Sequence, residues 1–330
     1  MANATQVPNS ATPPGRSCPL HYRYPSTVFN RAAELHAETF YIIGGLYGNV
    51  QALKEILALA AAEPVTPKLV FNGDFSWFNV DPASFQTINI EVLKHVALRG
   101  NVETELAASA DGAGCGCAYP DYVDDADVER SNQIMRQLRT AAKAFPELTR
   151  TLASLPMVAV AQVGNARFGI VHGDAESLAG WRFAHDSLHE SVNVNWLRQV
   201  CRAANLDGFA SSHTCLPAFR QFHDEDTKHI VINNGAAGMP NFSHTQYGLL
   251  SRISVYPARE GLSQYGGKVG DVHVDAIPVH YDATAFEKTF LDNWPEGSPA
   301  HHSYYRRIVD GPAYAAPHAM GLIRAPSVCA

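Results

Sequence analysis

Residues 39–61 read TFYIIGGLYGNVQALKEILALAA. Five β-branched or aromatic residues end in paired glycines, the pattern of a buried strand entering a turn. Asn49 then opens a segment whose apolar residues Val50, Leu53, Ile56, Leu57 and Ala60 recur at helical spacing. An asparagine suits that position because its side chain accepts from the free amides of the first helical turn. Strand, glycine turn and helix in that order form an α/β unit, and the unit returns along the chain. A strand at 68–71 runs into Asn72, Gly73 and Asp74, and a short strand at 96–98 runs into Arg99, Gly100 and Asn101. Strands are expected at 157–163 and 166–171, the second ending in His172, Gly173 and Asp174. A strand-like segment at 208–211 leads into Ser212, His213, Thr214 and Cys215.

Between these units the character changes. Residues 107–121 are small and glycine-rich and read as a loop. Asp127 caps a helix with Ile134, Leu138, Ala141 and Phe145 on one face, and a helix at about 189–203 carries Val192, Trp196, Leu197 and Val200. The second half is strand-rich, at 219–222, 229–232, 249–255 and 272–279, before a last helix at about 283–291. Residues 1–36 are expected to be an irregular arm on the surface. Residues 37–292 form the main domain, with a helical insert at about 107–155, and 293–330 form a tail in which His301 and His302 are solvated. The fold class expected is α/β and layered.

Composition narrows the function classes. The 330 residues include 46% hydrophobic ones, and folding at this length buries roughly 75% of the unfolded surface. Twenty-five Lys and Arg against 32 Asp and Glu leave a formal charge of −7, which argues against nucleic-acid binding. The longest aliphatic run, 56–62, falls far short of the ~20 residues a bilayer needs. The opening residues have neither a basic start nor an apolar stretch of signal type, so a cytoplasmic protein is expected. Six cysteines in a chain of this size read as reduced. The sequence sets no oligomeric state.

Strand ends in α/β sheets converge on one crevice, which is where ligands collect. The strand-end turns here offer Asp74, Asn101, His172 and His213, a nitrogen and oxygen set suited to zinc, manganese or iron. The turns read GGLYGN at 44–49, NGDFSW at 72–77, RGNVE at 99–103, VHGD at 171–174 and SSHTC at 211–215. In order and spacing they resemble the calcineurin-like metallophosphoesterase superfamily, which carries D-x-H-G-N, G-D-x-x-D, G-N-H-D/E, a His before Gly, and G-H-x-H. NNGAAGMPN at 233–241 and VHYD at 279–282 extend the likeness, which covers about 39–292.

The resemblance implies a four-layer α/β/β/α sandwich of two mixed sheets flanked by helices. It also implies a site that has diverged. The family's first metal takes four residues that correspond here to Gly45, Tyr47, Asp74 and Cys215. The second takes Asp74, Asn101, His172 and His213, all intact. The proton-donating histidine corresponds to Val102, and the second Asp of G-D-x-x-D to Trp77. The expectation is one divalent metal, with Asp74, His172 and His213 as the catalytic group. The reaction implied is metal-assisted hydrolysis of a small phosphorylated or anionic substrate, with no nucleic-acid or membrane partner. Tyr47 and Cys215 are candidate further ligands that would rebuild the first site, for a redox metal among others. Asn49 is a helix cap or a substrate contact, and Arg99 a phosphate contact or a surface arginine. Glu103 and Asp174 are the nearest substitutes for the missing acid. Cys115, Cys117 and Cys18 offer thiols for metal or redox use, or are ordinary loop thiols. Trp181 and Phe183 wall a pocket or fill the core. The alternative is a non-hydrolytic descendant that binds an anionic small molecule or a protein.

Overall fold

A computed structural model describes residues 12–108 and 112–323. The strands are β1 Leu35–His36, β2 Thr39–Ile43, β3 Lys68–Asn72, β4 Val96–Leu98, β5 Val158–Val163, β6 Ala166–Val171, β7 Gly208–Ser211, β8 Pro217–Asp224, β9 Thr227–Asn234, β10 Gly248–Ser254, β11 Tyr265–Val269 and β12 Val272–Val279. They build two six-stranded mixed sheets, ordered β11-β12-β10-β2-β3-β4 and β1-β5-β6-β7-β9-β8. The helices are α1 Val50–Ala61, α2 Pro82–Val92, α3 Asn101–Leu106, α4 Asp125–Ala142, α5 Pro146–Ser154, α6 His185–Leu188, α7 Ser191–Ala204, α8 Ala283–Asn293, α9 Pro299–Asp310 and α10 Ala316–Ala319.

Alternation along each strand decides the layering. Phe40, Ile42 and Val70 of the first sheet meet Ala161, Phe168, Ile170 and Ile232 of the second in a core between the sheets. Tyr41, Ile43 and Phe71 point the other way, into a core shared with α1, α2, α4 and α8. Val160, Phe209 and Val231 do the same on the far side, against α7. The result is an α/β/β/α sandwich whose central strands, such as β2, are buried on both faces and read as near-continuous apolar runs. No helix among the described residues is long and apolar enough to cross a membrane.

Three features depart from the sequence reading. The segment expected as a surface arm is built into the fold from residue 12 onward: Tyr22 and Phe29 are fully buried, and β1 pairs in parallel with β5. Its large aromatic side chains hold it there, since each gains more from burial than a polar arm would. Residues 1–11 lie outside the described residues. The tail contains α9, whose Tyr304 and Ile308 pack into the first outer core. His302 is exposed as expected, but His301 is half-buried and stacks on Tyr305 with centroids 4.7 Å apart. β11 and α2 had no expectation: β11 has two glycines in its five residues, and α2 opens on proline.

Candidate metal centre

Four parallel or adjacent strands deliver the polar turns to one edge of the sandwich. After β3, Gly73 and Asp74 both take left-handed backbone angles, φ +82° and +57°. A side chain at Gly73 would lie 2.5 Å from His172 Nδ1, so only glycine lets these turns close on each other. Asn101 begins α3 directly after β4, His172 follows β6, and His213 follows β7. All four residues are at most 5% exposed.

Their donor atoms converge. His172 Nε2 lies 3.0 Å from Asn101 Oδ1, 3.2 Å from His213 Nδ1 and 3.4 Å from Asp74 Oδ1. The chosen atoms of Asp74, His172 and His213 all lie within 4.8 Å of one another. Bonds of about 2.1 Å in a tetrahedral site place neighbouring donors about 3.4 Å apart. The arrangement fits one divalent ion. The protons agree with that fit. His172 Nδ1 lies 2.8 Å from Asn72 O, so a proton there is donated to the carbonyl and Nε2 keeps its lone pair. His213 Nε2 lies 3.0 Å from Cys117 O, which assigns its proton to Nε2 and leaves Nδ1 facing the centre.

The charges of Asp74 and His213 agree as well. Burial, and then His172, push His213 down to about 3, so it stays a neutral imidazole. Burial resists ionisation of Asp74, yet the neighbouring His172 and His213 outweigh it and hold the carboxyl below its ordinary range. His172 differs: burial lowers it, but Asp74 outweighs burial to a net rise towards the protonated form, so an ion bound at Nε2 displaces a proton.

Two groups that sequence reasoning left open support this centre. Glu103 is fully buried; its Oε2 accepts from Gly100 N at 2.8 Å and Asp74 N at 2.9 Å, and its Oε1 from Phe75 N at 2.9 Å. It ties two ligand turns together and is not placed to protonate a leaving group. Its position three residues into α3 is the available signal, since a Glu there reaches back to the capping amide. The second group is the glycine-rich loop. Its thiols are free, and among the described residues they join no cluster of metal-binding donors. Its carbonyls instead orient the ligands: Asn101 Nδ2 donates to Cys115 O at 2.9 Å, and His213 to Cys117 O. Trp181 Nε1 also donates to Cys117 O, at 3.0 Å, and Trp181 walls the cleft. Cys18 Sγ lies 3.4 Å from Ser177 Oγ.

Other candidates serve elsewhere. Asn49 is fully buried: Oδ1 accepts from Ala52 N at 2.9 Å, and Nδ2 donates to Gly238 O at 2.9 Å. It is the cap of α1, with no free group for substrate. Arg99 donates to Ala153 O in the last turn of α5, away from the centre. Asp174 accepts from Glu176 N at 2.9 Å and Ser177 N at 3.1 Å, shaping the loop that carries Trp181. Phe183 packs in the outer core against Phe209, with centroids 5.4 Å apart.

Where the resemblance places a first metal, the chain has made an internal contact. Tyr47 Oη lies 3.0 Å from Cys215 Sγ. A side chain at Gly45 would come 3.0 Å from the Tyr47 ring, so that ring fills the space left by the family's aspartate. Arg307 of α9 closes the region, donating to Cys215 O at 2.7 Å and Pro240 O at 3.0 Å. Burial pushes both Tyr47 and Cys215 upward, which favours a neutral phenol and thiol in this contact. The narrow cleft over these groups is lined by Tyr47, Trp77, Val102, Tyr119, Trp181 and Tyr304 beside the metal-site residues.

No sequence profile of a known family matches this chain, and no curated protein matches it. Solved structures do. A hypothetical protein from Pyrococcus horikoshii superposes with a TM-score of 0.57 at 16% identity, over 84% of this chain and 99% of that one. A metallophosphoesterase from Sphaerobacter thermophilus gives 0.51 at 16% identity, over 83% and 99%. With two six-stranded mixed sheets, outer helices and polar turns gathered at one edge, this chain has the calcineurin-like metallophosphoesterase fold.

Proposed function

We propose that the protein is a divergent metal-dependent hydrolase of phosphate esters that works with one divalent ion, zinc, manganese or iron. The observation that carries this reading is the convergence of Asp74, Asn101, His172 and His213 on one point, with each imidazole's far nitrogen occupied by a carbonyl. A divalent ion held there supplies Lewis-acid polarisation of a phosphoryl oxygen and acidifies a water. Asp74 contributes the anionic ligand and the histidines neutral ones. Tyr119 and Trp181 line the cleft beside this site. Val102 stands where the resemblance puts a proton donor, and neither Glu103 nor Asp174 lines the cleft. Loss of a general acid typically costs ~10²–10⁴-fold, so the favoured substrates are esters whose leaving group departs without a proton. The free thiols suit a reducing compartment, in keeping with the cytoplasm.

A second reading rests on the Tyr47–Cys215 contact. Ligand positions that now bond to each other fit a descendant that binds an anionic molecule or a protein without hydrolysing it.

Metal content by mass spectrometry, together with hydrolysis of bis(p-nitrophenyl) phosphate, separates the two. The hydrolase reading expects about one ion per chain. In His172→Ala both the ion and the turnover are lost. Bound metal without turnover favours the second reading, and turnover unchanged in His172→Ala overturns the first.

A further inference from the structure

Three aromatic rings close the metal cleft from outside the strand-end turns: Tyr119, Trp181 and Tyr304. They leave room for about one water molecule beside Asp74 and His213. A larger molecule reaches the centre only if one of these rings moves. The way each ring is tied decides which one.

Tyr304 is 6% exposed and packs on Phe78, with centroids 5.1 Å apart. Its helix is held by the two carbonyl bonds of Arg307. Tyr119 is fixed at both ends. Its backbone N–H donates to Gly15 O at 2.9 Å, and its hydroxyl lies 3.0 Å from Ser131 Oγ on α4. Trp181 is half-buried, and its indole has a single hydrogen bond, from Nε1 to Cys117 O at 3.0 Å. It is also the ring that covers the centre. It meets the His213 imidazole edge to face, with centroids 5.5 Å apart at 74°, and leans on Tyr119 at 5.8 Å.

The main chain around Trp181 does not share this freedom. The Asp174 carboxylate accepts from Glu176 N and Ser177 N on one side of Trp181 and from Arg182 N on the other. Trp181 O accepts from Ala184 N at 3.0 Å. Movement is thereby confined to the side chain, which turns between staggered rotamers. Turning out does not unmake the centre. A carbonyl oxygen has two lone pairs, and Cys117 O accepts from both Trp181 Nε1 and His213 Nε2. When the indole leaves, its N–H turns to water and His213 keeps its own bond.

We infer that Trp181 is the gate of the metal centre. Turned in, it closes the cleft over His213; turned out, it admits the ion and the molecule that the ion binds. The inference rests on the metal-centre reading for what passes, and not on hydrolysis. A ring that closes equally over the empty and the filled site slows entry and exit by the same factor and leaves affinity unchanged. A ring that only props His213 changes affinity instead.

The test follows zinc uptake and release by the full chain against a chromophoric chelator, in wild type and Trp181→Ala. A minor open state is typically populated at about 0.1–10%, so the gate predicts both rates at least about tenfold faster in the variant. The dissociation constant stays within about twofold. Unchanged rates, or faster release with weakened affinity, overturn the gate. If the chain takes up no zinc, the metal-centre reading fails. The gate is then judged in the metal-free protein by iodoacetamide alkylation of Cys117, which is 8% exposed and lines the same cleft. Alkylation at least about tenfold faster in the variant supports the gate, and an equal rate overturns it. Cys115, in the same loop but fully buried outside the cleft lining, stays unmodified while loop and fold are intact. Where Cys115 also reacts, or Trp181→Ala loses its circular dichroism spectrum, the same comparisons are made in Trp181→Phe. That variant keeps a ring and loses the bond to Cys117 O, so faster rates in it support the gate and equal rates overturn it.

Discussion

Gly116 shows how one residue reaches the metal centre without touching it. Its φ is +69°, and a side chain there would lie 2.3 Å from Tyr22 Oη and 3.2 Å from Asn101 Cβ. It lets the loop press down so that Cys115 O and Cys117 O meet Asn101 and His213. Carbonyls in this role fix ring orientation and ligand tautomer, and their loss commonly costs 10–100-fold in metal affinity. Gly116→Ala is therefore expected to weaken metal binding by about that factor, read by competition with a chromophoric chelator. The circular dichroism spectrum should be unchanged. Wild-type affinity in the variant would mean that the loop does not set the His213 ring. Glu103 acts at the same scale, since one buried carboxylate satisfies three amides from two ligand turns.

Between elements, the clearest polar tie lies on the outer face of the first sheet. Arg252 of β10 donates to Glu63 Oε1 at 2.7 Å, and Tyr41 of β2 donates to the same oxygen at 2.7 Å. Glu63 follows α1, so the contact locks that helix to two strands. The Arg252 side chain is 1% exposed and that of Glu63 is 6% exposed. Burial raises the Glu63 carboxyl, but the Arg252 and Tyr41 hydrogen bonds outweigh it to a net fall. A depressed folded-state pKa contributes stability above the unfolded value, and that stability fades as pH falls through the folded one. Breaking one partner of a buried pair costs about 3 kcal/mol or more. Glu63→Gln should lose about 3 kcal/mol in urea unfolding at pH 7. Its deficit against wild type should narrow as pH drops below about 4.3. A deficit independent of pH would assign the loss to packing rather than charge.

At the scale of the whole molecule, segments distant in sequence hold the centre together. The N-terminal segment pins the glycine-rich loop: Gly15 N donates to Ala113 O at 2.9 Å, and Tyr119 N donates to Gly15 O at 2.9 Å. Tyr22 Oη donates to Glu105 Oε1 at 2.5 Å, and Arg139 of α4 pairs with the other Glu105 oxygen at 3.0 Å. Through these contacts the loop is held directly by the latch. Removing residues 1–24 should leave a folded sandwich with metal affinity down about tenfold and a lowered Tm. Calorimetry and the chelator competition read the two effects separately. A truncated chain with full affinity would show that the loop holds itself in place.

The sequence by itself determined what short-range physics determines. Apolar period and glycine turns place strands at 39–43, 96–98, 166–171, 208–211 and 272–279, where they are found. A strand that ends in a turn must present that turn's side chain at the sheet edge, which is why Asp74, Asn101, His172 and His213 stood out before any coordinates. The layered sandwich followed from the resemblance those turns carry. Only the tertiary structure decided which way each polar group faces. Asn49 turns both ends to backbone, one of them 189 residues away in Gly238. The CxC loop contributes carbonyls rather than thiols, and Tyr47 and Cys215 find each other across 168 residues. The arm and tail joined the fold because their buried aromatics pack on elements far along the chain. Such partners are set by packing of the whole molecule, and no local pattern encodes the distance between them.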